Sequence, residues 1–268
     1  MGNRKSEIGN GFTLVELLVV ISILGILAAL TVPALKNLGK SNAAISASRQ
    51  LLDGVGRARQ LAIANHTTVF MVFVPTNFWT VISGTLTPAQ QTAETNLCGK
   101  QLTGYTFVAR GAVGDQPGQH VWHYLDTWQG LPDGSFIAAW KFIPPGPLPA
   151  TVINDPVSGQ PLFNIYGFNL YPVPFPTADA PPVLLPCIAF NYLGQLTADG
   201  QNPAGRDEYI PLARGAVLPA INPSSKAFQF NSPSVSETPP GNSTNSAYNL
   251  VDIDPLTGRA TLRFQKVQ

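Results

Sequence analysis

The first pattern along the chain is an apolar block. From Phe12 to Leu30 the only polar side chains are Thr13, Glu16 and Ser22. As helix, at ~1.5 Å per residue, the block rises about 28 Å, close to the hydrocarbon thickness of a bilayer. After a polar stretch over residues 1–11, the pattern predicts a membrane-spanning helix half over residues 12–35. Past it the pattern turns amphipathic. Leu38, Ile45 and Leu52 recur every seven residues, with Leu35, Val55 and Ala62 on or near the same stripe. Lys36, Lys40, Arg49, Asp53, Arg57 and Gln60 fall largely off it. The helix is therefore expected to continue over residues 36–66. Pro33 should kink or loosen it, because it removes an N–H and crowds the preceding turn.

Beyond the helix the period changes to that of strands and turns. Thr67 to Val74 and Phe78 to Ile82, around Pro75-Thr76-Asn77, read as a hairpin packed on the helix. Further strands are expected at Tyr105 to Ala109, Val121 to Leu125, Phe136 to Ile143 and Tyr209 to Val217. A last hairpin, Tyr248 to Ile253 and Ala260 to Val267, turns at Asp254 to Arg259. Pro144 to Pro149 and Pro172 to Pro176 cannot be interior strands and read as surface loops. Asn222 to Ser246, rich in Ser, Pro and Asn, reads as a mobile loop. The fold class is α+β, with a β-rich antiparallel domain over residues 67–268 carrying Pro-rich insertions.

Glu16 is the anomaly in the apolar block. A carboxylate there costs about 2–3 kcal/mol even on lenient insertion scales. A cut between Gly11 and Phe12 would place a free α-amino group one helical turn away, as a counter-charge in the same chain or in a neighbour. Gly11-Phe12-Thr13-Leu14-Val15-Glu16 followed by the apolar run resembles the signal of type IV prepilins and type II secretion pseudopilins. The resemblance implies cleavage after Gly11 by prepilin peptidase, N-methylation of Phe12, and a role for Glu16 in guiding the subunit into a helical filament. It also implies a pilin-like fold. Leu51 to Ile63, with the strand and the Phe78-Trp79 that follow, resembles the H-type minor pseudopilins and related minor type IV pilins. Arg4 and Lys5 ahead of a single span keep the leader cytoplasmic and send the rest to the periplasmic side of the inner membrane. The partners implied are prepilin peptidase, other pseudopilins or pilins, an inner-membrane assembly platform and membrane lipid.

A type II secretion pseudopilin is thus the expected function. Its rivals are a minor type IV pilin, serving pilus initiation, adhesion or DNA uptake, and an enzyme or binding protein using the helix only as an anchor. Composition narrows the choice. Net charge is +1 with only 12% charged residues, against the basic excess of a general nucleic-acid binder. Cys98 and Cys187 are the two cysteines; outside the cytoplasm they could pair, but no spacing rule brings them together. On a strand, His120 and His123 point to opposite faces, which spoils chelation. Asp199, Asn202, Asp207, Glu208, Asp252 and Asp254 are oxygen ligands of the kind calcium takes, yet they match no calcium loop and suit turns. Gly39-Lys40-Ser41 resembles the end of a phosphate loop but lies in a helix, with Ala34 where the first Gly belongs. No metal, no cofactor and no catalytic constellation is expected.

Overall fold

The computed structural model describes residues 14–82, 86–112, 114–115, 121–155, 158–244 and 249–264, without the side chains of 28–42. Two units emerge, Met1–Asn42 and Ala43–Gln268. Helix α1 (Leu14–Ala64) supplies the described part of the first unit and the opening element of the second. Pro33 and Gly39 to Ser41 fall in α1, among the side chains outside the description.

Within the second unit, α1 buries Ala47, Leu51, Val55, Ala58 and Ala62. This stripe keeps Val55 and Ala62 of the expected one and corrects Ile45 and Leu52. Ile45 is 51% exposed and Leu52 only half-buried. The seven-residue spacing followed large side chains, whereas the buried stripe, at a 3.6-residue period, takes in Ala47, Ala58 and Ala62 beside Leu51 and Val55. Gly54 belongs to the same close approach: a Cβ there would stand 3.2 Å from Met71 Cε and 3.4 Å from the Tyr105 ring. The polar flank of the helix is tied down as well. Gln50 donates to the Gly130 carbonyl at 2.9 Å, Arg57 pairs with Asp126 at 2.8 Å, and Asn249 donates to Ser48 Oγ at 3.0 Å. α1 ends where Thr67 N–H reaches the Ala62 carbonyl and His66 takes φ 49°, the left-handed closure common at helix C-termini.

The strands follow in chain order: β1 (Val69–Phe73), β2 (Gly104–Arg110), β3 (Trp122–Tyr124), β4 (Gln129–Gly130), β5 (Ser135–Ile137), β6 (Thr151–Asn154) and β7 (Pro161–Ile165). Then come β8 (Asn169–Pro174), β9 (Pro182–Phe190), β10 (Leu196–Thr197), β11 (Glu208–Leu218), β12 (Ser234–Glu237), β13 (Asn249–Ile253) and β14 (Ala260–Phe264). The first sheet runs β10-β9-β1-β2-β3, with β4 also on β2 and β8 also on β9. The second runs β12-β11-β13-β14, with β5 on β11, and β6 with β7 forms a separate hairpin. Every strand pairing is antiparallel.

β1 is apolar at every position because both its faces are covered. Met71 and Phe73 meet α1, together with Phe107, Ile188 and Phe190. Phe70 and Val72 meet the opposite layer, with Val108, Leu185, Phe78 and Phe175. That opposite layer includes helix α2 (Pro88–Leu97), which the sequence reading did not anticipate.

Several expectations are corrected. Phe78 to Ile82 is not a strand: Phe78–Thr80 is a turn of 3₁₀ helix, and β1 pairs with β2 instead. The Phe136 to Ile143 strand stops at Ile137 and passes into 3₁₀ helix at Ala139–Phe142. Pro172 to Pro174 is strand β8 rather than loop, on the side of β9 away from β1, an outer position that proline tolerates. Asn222 to Ser246 contains β12, paired along β11 from Gly215↔Glu237 to Leu218↔Ser234. The α+β class, the antiparallel domain and the exposed Pro144 to Leu148 loop agree with expectation.

Candidate functional site

The segment singled out by its sequence is the start of α1. From Leu14 to Leu27 every residue is exposed, Leu14 by 81%. Apolar side chains point in all directions, so this stretch has no polar face to turn to water, unlike a surface helix. A contiguous apolar surface of this kind marks contact with lipid or with other protein. Ser22 Oγ donates to the Leu18 carbonyl at 2.8 Å, satisfying the hydroxyl within its own helix. Glu16 lies near the start of the described part of α1. Gly11 and Phe12 lie outside the described residues.

Among the described residues no helix is long and apolar enough to cross a membrane. The described apolar side chains stop at Leu27, about 21 Å of helix from Leu14, against the ~30 Å of a hydrocarbon core. Phe12 and Thr13 at one end, and the side chains of Ala28, Ala29 and Leu30 at the other, complete the expected span and lie outside the description.

Residues 10–32 match the family model described as "Prokaryotic N-terminal methylation motif". The chain carries a prokaryotic N-terminal methylation motif. This motif is typical of type IV pilins and pseudopilins, and it supports a pilin-like protein processed at its N-terminus. The methylation motif covers Gly11, Phe12, Glu16 and the whole apolar block, so the motif and the exposed helix surface are one segment. No curated protein and no solved structure matches the chain.

The remaining candidates are dispersed. Cys98 and Cys187 are both buried and both free thiols, within one apolar cluster. Burial pushes their thiols up, to about 11 and about 12, so neither is a reactive thiolate at neutral pH. His120 lies outside the described residues, and His123 meets Asp115 at 2.9 Å. Asp199 caps its own turn, accepting from Gln201 N–H, Asn202 N–H and Thr197 Oγ1. Asp254 caps the β13–β14 turn through Thr257, Asp252 pairs with Arg263 at 2.9 Å, and Glu208 with Lys141. Among the described residues no group of three or more His, Cys, Asp or Glu could hold a metal ion. The basic residues separate likewise: Arg206 stacks on Tyr166 at 3.6 Å, and Arg263 is held by Asp252.

Proposed function

We propose that this chain is a filament subunit of the pseudopilin type, serving type II secretion and closest in kind to the H-type minor pseudopilins. The observation that carries the reading is the coincidence of the methylation motif with a helix segment apolar on every side. Prepilin peptidase cuts after Gly11 and the new N-terminus, Phe12, is N-methylated. The apolar block holds the subunit in the inner membrane until an assembly platform extracts it into the filament. Glu16 then neutralises the α-amino group of its own or a neighbouring chain, because two such charges in an apolar setting are tolerable only as a pair, and the pairing sets subunit register. The β-rich domain lies on the periplasmic side. The methylation motif is shared with type IV pilins, so a minor pilin is the second reading. Genes for a secretin and a secretion ATPase beside this one support the first, a retraction ATPase the second.

The test is mass spectrometry of the membrane-extracted protein from a host with active prepilin peptidase. The expected chain begins at N-methylated Phe12; an intact Met1, or a start after Ala29, overturns the reading. In the same host Glu16→Val should be processed normally yet incorporated poorly into filaments. Normal incorporation would refute the pairing role.

A further inference from the structure

We propose that the groove at the C-terminal end of α1 binds an uncharged, hydroxyl-rich ligand, a stretch of carbohydrate chain. Four separate parts of the fold meet there. The end of α1 contributes Asn65, β2 and the turn after it contribute Arg110 and Asp115, β8 contributes Tyr171, and the turns around β10 contribute Tyr192 and Gln201. They enclose about 650 Å³, within the range of ~300–1,000 Å³ usual for small-molecule sites.

The aromatic part is held ready. Tyr171 stacks on buried Phe70 with ring centroids 4.4 Å apart, and its hydroxyl accepts from Arg110 at 2.8 Å. Packing and a charged donor fix the ring before any ligand arrives, which lowers the entropic cost of binding. Tyr192 is 52% exposed and lines the same groove. A tyrosine so placed offers an apolar face and a polar tip together, and the C–H face of a pyranose ring packs against such a surface.

The polar part suits vicinal hydroxyls. Gln201 and Arg110 end in planar groups able to engage two neighbouring oxygens or hydroxyls, and Asn65 and Asp115 each offer one oxygen beside them. The Asn65 amide N–H is committed to the Leu61 carbonyl, which leaves the amide oxygen as acceptor. Asp115 uses one oxygen for Ala112 N–H and His123, leaving the other. Charge decides against an anionic ligand: Arg110 is offset by Asp115 and Asp199 in the lining, so no net positive field exists to gather phosphates. The groove lies within the second unit, just past the C-terminal end of α1 at Ala64.

The experiment is calorimetric titration of the full chain, solubilised in an amine-oxide detergent so that no sugar headgroup competes. The probes are cellohexaose, xylohexaose, mannohexaose, maltohexaose and chitohexaose, with heparin as the anionic comparison. At least one neutral hexasaccharide should bind saturably with Kd of about 0.1–1 mM. Tyr192→Ala should weaken that binding at least about tenfold, while Tyr192→Phe retains it because the ring rather than the hydroxyl makes the contact. Gln201→Ala should weaken it several-fold, and Leu148→Ala, in the exposed proline-rich loop, should leave it unchanged. Absence of saturation by every hexasaccharide up to about 10 mM, a regime weaker than ~3 kcal/mol of binding, overturns the proposal. So does binding indifferent to Tyr192→Ala, or heparin binding tighter than any neutral probe.

Discussion

Lys141 has none of its surface exposed, and Glu208 meets it there from the start of β11. The ammonium also donates to the Tyr166 carbonyl at 2.6 Å and lies 4.6 Å from the centre of the Phe168 ring. Burial pushes the lysine pKa down and Glu208 opposes that shift. Such a pair contributes little net stability but is costly to break, because the survivor is left charged and dry. Glu208→Ala is expected to cost about 3–5 kcal/mol in urea unfolding, and Lys141→Met combined with Glu208→Leu to recover most of it. Glu94 in α2 poses the opposite problem. Burial raises its pKa above the usual 4.5, so the folded state holds this proton more tightly than the unfolded one. Its contribution to stability is full below pH 4.5 and is lost as pH rises through the folded value. Glu94→Gln should therefore match the parent in Tm near pH 4 and exceed it at pH 7.5; a lower Tm at pH 7.5 would refute the assignment.

At the scale of elements, turns lock the end of the helix. Arg59 Nε donates to the Thr257 carbonyl at 2.8 Å, and Gly258, at φ 62°, closes the β13–β14 turn. A Cβ on Gly258 would run into the Gly194 carbonyl oxygen of the β9–β10 turn. Gly258→Ala is thus expected to lose about 1–3 kcal/mol from backbone strain and displacement, read as a lower urea midpoint at unchanged slope. That hairpin was legible, because Asp254 to Arg259 is strong turn chemistry between two alternating runs. β1 was legible for a related reason: a short run without polar residues is how a strand covered on both faces reads. α2 could have been read too, since Thr87-Pro88-Ala89-Gln90 is a capping box with proline in the first turn, and both cap bonds form. Phe78-Trp79 misled because aromatic residues favour strands only where a neighbour strand exists. Here Phe78 is instead a plug under Phe175, ring centroids 5.5 Å apart. The groove beside Tyr192 was not legible at all, since its walls come from residues as far apart as Asn65 and Gln201.

For the molecule as a whole, the local signals are concentrated at the N-terminus. Gly11, Phe12 and Glu16 declare themselves in six consecutive residues, whereas the domain after Ala43 declares some of its strands, misses others such as β8 and β12, and does not declare their order. The same whole-chain view bears on nucleic acid. With net charge +1, and with Arg57, Arg206 and Arg263 engaged in separate places, the protein should show no binding to duplex DNA at about 0.15 M salt down to Kd of ~10⁻⁴ M. Fluorescence titration checks this, with micromolar binding abolished by Arg259→Ala and Arg263→Ala as the contrary result. Strand order has a further consequence, in time. β1 sits at the centre of the first sheet between β2 and β9, yet Val69–Phe73 is made long before Pro182–Phe190. At about 5–20 residues per second of synthesis, the interval is on the order of ten seconds. Throughout it Val69-Phe70-Met71-Val72-Phe73 has one open edge and no polar residue to discourage a foreign strand. Each copy emerging from the ribosome therefore passes through a stage in which this strand is open to a foreign one, and no contact of the finished fold can close that edge until β9 has been made.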